Sequence, residues 1–432
     1  MSHLRKSLFL LLLLFSILLC RGLPQSVEAG DESYRTLELF TDVLAIIQKS
    51  YVEDVDLNDL IYGGIRGMLA TLDPHSSFLS PDMYQEMKVD THGEFGGLGI
   101  EIVIRDNKLT VVAPIEGTPA FAAGIQAGDV IISIDDKPVK DLELMQAVRQ
   151  LRGPKGSPVT LTILRGEEED PRQYTIVRDI IQIHSVKGRL LQKGYGYVRI
   201  SQFQEKTGAD LRAEVTRLRE GQAQSFNGLI LDLRNNPGGL LDQAVAVADL
   251  FLDEGLIVYT EGREPGSQMS FKATAEGTEP DYPMVVLING GSASASEIVA
   301  GALSDHGRAV IMGERSFGKG SVQTIIPLSD NSGLRLTTAR YFTPSGVSIQ
   351  ARGIVPDIPV AAAELQNREN MTHYRERDLD NHIETPAEPA AAENGQDSPE
   401  LSDEDRSDFQ LMRAFDLLKG LEIMKGKKLD AA

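Results

Sequence analysis

The chain has 432 residues, 41% of them apolar, enough for about two or three domains with real cores. Its formal net charge of -20 argues against nucleic acid or an anionic membrane as the main partner. The single cysteine, Cys20, lies in an N-terminal apolar run, which excludes a disulfide framework and, once that run is removed, a thiol nucleophile.

That run extends from Leu8 to Cys20 behind Arg5 and Lys6 and is followed by Pro24 and Val27-Glu28-Ala29. Basic start, short apolar stretch and small-residue site are the layout of a secretory signal peptide over 1–29, cut near Ala29. The run is shorter than the roughly 20 residues of a spanning helix. Leu19 stands where a lipoprotein signal needs a small residue, which argues against lipidation of Cys20.

Residues 30–92 read as a helical region. Leu37, Phe40, Leu44, Ile47 and Tyr51 recur at helical spacing, as do Leu57, Ile61, Ile65, Met68 and Leu72, and Pro74 stops the second helix.

From Gly93 to about 167 the pattern changes to short strands punctuated by glycine. Gly96-Gly97-Leu98-Gly99-Ile100 leads into alternating Glu101 to Ile104, then come Leu109 to Val112, Val130 to Ile134, a helix carrying Leu142, Met145, Val148 and Leu151, and a strand from Val159 to Leu164. This order resembles a PDZ domain. In such a loop, successive backbone N–H groups of Gly97, Leu98, Gly99 and Ile100 can hold a peptide's terminal carboxylate while the peptide adds as a strand.

The stretch 168–362 alternates strands with helices, the pattern of an α/β domain with a partly parallel sheet. The strand Leu229 to Leu233 runs into Arg234-Asn235-Asn236-Pro237-Gly238-Gly239, and the strand Met284 to Ile288 into Asn289-Gly290-Gly291-Ser292-Ala293-Ser294-Ala295-Ser296-Glu297. Reactive groups of such sheets gather in loops beyond the carboxyl ends of the strands. A serine at a strand-to-helix turn lies near the free N–H groups of the helix, where an oxyanion is stabilised.

The serine needs a base. His306 is twelve residues past Ser294, about 18 Å away along a helix, and reads as a C-terminal cap. Lys319 fits better, in a loop expected to join two strands of one sheet, with apolar neighbours such as Phe317 helping to keep the amine neutral. Ser-Lys pairs are a known form of nucleophile activation. Gly313-x-x-x-x-Gly318-Lys319 matches most of a phosphate-binding loop, but Gly320 replaces the metal-binding hydroxyl and a strand follows where a helix is needed.

Signal peptide, helical arm, PDZ-like part, Asn-Pro-Gly-Gly, Ser-Ala-Ser-Ala-Ser-Glu and Phe-Gly-Lys-Gly-x-x-Gln together resemble the carboxyl-terminal processing, or tail-specific, proteases over about residues 35 to 360. The resemblance implies a crotonase-like or Clp-protease-like α/β core, a mixed sheet with an inserted PDZ domain and an N-terminal helical arm. It implies Ser294 as nucleophile, Lys319 as general base and Gln323 as the residue that orients the lysine, with no cofactor and no metal. The oxyanion would then be held by the Ala295 amide and one from Gly238 or Gly239. Implied substrates are proteins or peptides with flexible apolar C-termini, with room for an adaptor lipoprotein, and Arg152 resembles a residue that couples peptide binding to activation. An exported enzyme of the bacterial periplasm or envelope, assembled as a homo-oligomer, is expected. The alternatives are a catalytically silent PDZ scaffold of the envelope and a crotonase-type acyl-CoA enzyme, which the export signal disfavours.

Residues 363–406 read as an acidic flexible linker, with eight carboxylates and no Lys or Arg between Glu384 and Asp405. Over 407–432, Ser407 to Gln410 reads as a capping box before a helix carrying Leu411, Phe415, Leu418 and Leu421.

Overall fold

The computed structural model describes residues 30–140, 142–166, 170–192, 194–220, 226–363 and 401–429. The expected signal peptide and linker residues 364–400 lie outside them. The chain divides into two units, Met1–Phe78 and Leu79–Ala432. The first holds helices Gly30–Ser50 and Leu57–Ala70. Asp56 caps the second by accepting the Asn58 N–H at 2.6 Å, and Tyr62 packs on Phe78 with ring centroids 4.6 Å apart.

In the second unit, a six-stranded sheet has the order Val186–Gln192, Tyr195–Ile200, Gly228–Asp232, Met284–Ile288, Val310–Gly313, Ile358–Pro359. The first pair is antiparallel and the others are parallel. Gly228–Asp232 and Met284–Ile288 are buried at every residue, as expected of central parallel strands covered on both faces. Helices Thr207–Glu220, Leu241–Asp249 and Ala295–Asp305 contribute to one core, with Leu211, Val247 and Val299 fully buried.

A second core holds Ile230, Val285 and Leu287 with Leu411, Ala414, Phe415 and Leu418 of the helix Phe409–Leu429. Burying each of those large side chains stabilises the C-terminal helix on the sheet by about 1.5–3 kcal/mol. The expected linker therefore stops short of 406, because Asp403–Ser407 is already helical and Asp405 is buried against Arg189. The cap of the long helix is Asp408, which accepts the Leu411 N–H at 3.0 Å. Ser407 instead donates to the Glu404 carbonyl.

A further, antiparallel set pairs Ser321–Pro327 with Gly333–Phe342, that strand with Leu256–Gly262, and the last with Met269–Lys272. Lys319 therefore lies between strands of two different sheets, not one: the chain leaves the parallel sheet after Gly313 and enters the antiparallel one at Ser321.

The PDZ region forms a sheet of Ile100–Arg105, Lys108–Pro114, Val130–Ile134, Pro158–Leu164 and Arg172–Val177, closed by helix Leu144–Leu151 over a core that includes Val111, Ile131 and Leu161. The sheet runs past the expected boundary at 167, since Arg172–Val177 pairs along the whole of Pro158–Ile163. The chain enters and leaves through one antiparallel ribbon, Glu94–Gly97 with Asp179–Gln182. Helix Pro81–His92 precedes the ribbon and was not anticipated. Ser80 caps it by accepting the Met83 N–H, Pro81 opens it, and Gly93 ends it at φ 71.

Candidate active site

The loops following Gly228–Asp232 and Met284–Ile288 leave neighbouring parallel strands and are stitched together. The Asn235 N–H donates to Asn289 Oδ1 at 2.8 Å, and the Asn289 side-chain amide donates to Asn235 Oδ1 at 2.9 Å. The Asn236 carbonyl accepts the Ala293 N–H at 3.0 Å, while the Asn236 amide donates to Ile200 C=O and its Oδ1 accepts the Gly238 N–H at 2.9 Å.

This stitching separates the three serines. Ser292 Oγ donates to the Leu233 carbonyl at 2.7 Å and Ser296 Oγ to that of Asn236 at 3.0 Å, both fully buried. Ser294 lines a cleft of about 290 Å³ and sits at the helix N-cap with φ 57 and ψ -113. A non-glycine residue in such a conformation costs about 1–3 kcal/mol and persists only where its surroundings enforce it. One enforcing neighbour is Gly238 (φ 102), where a Cβ would stand 2.7 Å from Ala293 O and 2.8 Å from Ser294 Cβ.

Lys319, Gln323 and Gly239 line the same cleft, with Phe203, Leu241, Ile298 and Val322 among its apolar walls. What joins serine and lysine is Glu297, fully buried. One carboxylate oxygen accepts the Ser294 N–H at 2.8 Å and the Lys319 N–H at 2.9 Å; the other accepts Ser316 Oγ at 2.5 Å and the Gly318 N–H at 2.7 Å. Four donors satisfy the buried charge, so helix start and lysine loop are held as one piece. A glutamate three residues after an N-cap serine is a capping signal visible in the sequence, but nothing local in it points to the lysine loop.

The Gln323 side-chain amide donates to Ser321 Oγ at 3.1 Å. Phe317 does not shelter the lysine: its N–H is tied to the Ser292 carbonyl while its ring is 63% exposed. His306 caps its helix, and its Nε2 contacts the Leu256 carbonyl at 2.7 Å. Tyr341 forms part of the cleft wall; its hydroxyl is buried without a well-formed hydrogen bond among the described residues. Burial and the Glu297 carboxylate push the phenol's pKa up, while the Ser294 hydroxyl nearby pulls the other way.

Two backbone donors at the cleft are uncommitted. Among the described residues, neither the Ala295 N–H nor the Gly239 N–H makes a hydrogen bond, whereas the Gly238 N–H is taken by Asn236. Gly239 is exposed and Gly238 buried.

In the PDZ region, a groove of about 290 Å³ lies between the loop Gly97, Leu98, Gly99, Ile100 and the helix residues Val148 and Leu151. The Leu98 carbonyl accepts the Ala120 N–H at 2.9 Å and the Gly99 carbonyl the Ile115 N–H at 2.8 Å, so the loop's carbonyls are committed within the domain. Gly99 has φ 76 and its missing Cβ position is filled by Thr118. Arg152 also borders the groove, its guanidinium 4.6 Å above the Phe95 ring.

Comparison with known proteins agrees with this architecture. The model of peptidase family S41 matches residues 194–360, a PDZ-domain model 96–173, and a model of the N-terminal domain of the activating protease CtpB 20–83. A carboxy-terminal-processing protease of Bartonella bacilliformis is 47% identical over 406 residues, covering 92% of each chain. A carboxyl-terminal-processing protease of Synechocystis sp. is 43% identical over 303 residues, covering 68% of this chain and 70% of its own. Among solved structures, the photosystem II D1 C-terminal processing protease is 33% identical, covering 75% of this chain and 92% of its own, with a TM-score of 0.44. The protein is a serine-type endopeptidase that carries a PDZ domain. The chain belongs to the carboxyl-terminal processing protease family.

Proposed function

We propose that the protein is an exported endopeptidase that cuts polypeptides near their C-termini with Ser294 as nucleophile and Lys319 as general base. The observation that carries this reading is the Glu297 carboxylate, which binds the backbone of both residues while both line one cleft. Neutral Lys319 takes the Ser294 proton as Oγ attacks the scissile carbonyl. The collapsing intermediate expels the amine with a proton returned by the lysine, and water then releases the acyl-enzyme by the same steps. The Ala295 and Gly239 amides hold the oxyanion, since Gly238 has already given its N–H to Asn236. Gln323 helps to orient Lys319.

The PDZ groove binds the substrate's terminal carboxylate at the Gly97–Ile100 amides and its last apolar side chain against Val148 and Leu151. Export rests on the N-terminal segment, and fractionation of cells between cytoplasm and envelope tests it. For the chemistry, Ser294→Ala and Lys319→Ala should each lower peptide hydrolysis at neutral pH by at least about 10³-fold. Hydrolysis that survives either substitution overturns the assignment, and a wild-type protein that no serine-directed acylating reagent labels would return it to the silent-scaffold reading. Amidating the substrate's C-terminus should slow cleavage; equal rates would remove carboxylate capture.

A further inference from the structure

The loop that supplies the Gly239 amide begins at Arg234, whose side chain is only 10% exposed. All five of its N–H donors are directed at acceptors. Nε and one Nη2 hydrogen go to Asp232, at 3.0 and 2.7 Å. The other Nη2 hydrogen and one of Nη1 go to the two oxygens of Asp408, at 2.7 and 2.9 Å, and the last goes to Gln410 Oε1 at 3.0 Å. Three of the five therefore depend on residues at the start of the C-terminal helix, far along the chain from the loop they hold.

The partners are fixed in turn. Asp232 is fully buried and also accepts the Arg234 N–H at 2.9 Å and the Tyr197 hydroxyl at 2.7 Å. Asp408 is the helix cap, and Gln410 Nε2 donates to the Val360 carbonyl at 2.7 Å. A buried guanidinium with every donor matched tolerates one position only, because any shift leaves donors unpaired away from water. Two residues further on stands Asn236, on which both the Gly238 N–H and the Ala293 N–H depend.

We propose that Asp408 and Gln410 are positioning residues for peptide hydrolysis, acting through Arg234 to hold the oxyanion loop against the serine turn. The C-terminal helix then belongs to the catalytic unit despite the long segment that separates it from the peptidase core. The inference rests on Ser294 chemistry with an amide of this loop as oxyanion donor.

The test uses full-length protein. Asp408→Asn keeps a good helix cap and nearly the same size but loses the charge and one acceptor oxygen. It should lower kcat about tenfold or more, with KM changed less than about twofold, because small displacements at a reacting centre cost rate. The second-order rate of labelling by a fluorophosphonate should fall in parallel, and Asp408→Glu should recover part of both. Gln410→Ala, a milder change, should move kcat the same way by a smaller factor. Phe415→Ala loosens the same helix without touching Arg234, and should lower the melting temperature while leaving kcat unchanged below the transition. If Asp408→Asn and Gln410→Ala keep wild-type kcat while melting like Phe415→Ala, the helix is only structural and the inference falls. If Ser294→Ala remains active, the reading beneath it falls instead.

Discussion

Glu297 and Lys319 are joined through the lysine's backbone: the same carboxylate oxygen that accepts the Lys319 N–H at 2.9 Å accepts the Ser294 N–H at 2.8 Å. Replacing Glu297 with Gln sets an amide N–H₂ against two donors, whichever way the side chain turns. Each unmet buried donor costs about 1–3 kcal/mol. Glu297→Gln should therefore melt well below wild type and, at temperatures where it is folded, lose at least about 100-fold in kcat. Calorimetry and steady-state kinetics on one preparation separate the two effects.

The glycines of the two loops should respond unequally. Gly238→Ala places a methyl 2.7 Å from Ala293 O and 2.8 Å from Ser294 Cβ at φ 102, so it must displace the serine turn. Gly290→Ala meets nothing within 4 Å. The first should abolish most hydrolysis and the second should leave kcat/KM within about twofold, as assayed on the same peptide.

Tyr341 keeps a hydroxyl buried without a good partner in the cleft wall, a group that stability alone does not favour. Tyr341→Phe should unfold no earlier than wild type, because an unmet buried polar group costs about 1–3 kcal/mol. Its rate of Ser294 acylation should nevertheless fall, since the hydroxyl lies beside that of Ser294, the proposed nucleophile. Thermal unfolding and inhibitor labelling read the two quantities independently.

Acid should release the C-terminal helix clamp in a defined direction. Burial alone would raise the Asp408 pKa, but the hydrogen bonds from Arg234 and then the Leu411 N–H outweigh it and hold the carboxyl below its ordinary 3.8. A pKa lowered by folding contributes stability that is present above the unfolded value and is lost as pH falls through the folded one. Asp405, held down in the same sense by Arg189 and Ser402 against its burial, adds to this. The difference in melting temperature between wild type and Asp408→Asn should be flat from about pH 5 to 8 and shrink below about pH 4.

Much of the serine turn was readable in the chain because its determinants are local: an apolar strand, small residues and a helix start within a dozen positions. The expected role of His306 as a helix cap follows from that same local logic, and its position at the end of Ala295–Asp305 agrees with it. Helix Pro81–His92, which brings Met87 and Thr91 to the cleft, carried its own signals in Ser80, Pro81 and Gly93, but its weakly amphipathic sequence hid it. Nothing local revealed that Lys319 bridges two sheets, or that Arg234 would find Asp408, 174 residues away. Such pairings depend on how distant strands stack and on which carboxylate a buried cation meets, and periodicity carries neither. Gln410, read as half of a capping box, was diverted to Arg234 because a buried charge gains more from its amide oxygen than a helix end does.

The ribbon Glu94–Gly97 and Asp179–Gln182 carries both crossings of the chain into and out of the PDZ region. Gly97 and Asp179 face each other as Cα partners, so everything between them is a closed excursion from one hairpin. Neighbouring Cα atoms in such a pair are about 4.5–5.5 Å apart, a gap that a two-residue turn spans. The PDZ region is thus interchangeable in principle: another domain whose own termini lie side by side could be grafted at the same two positions without redrawing the sheets of the peptidase core.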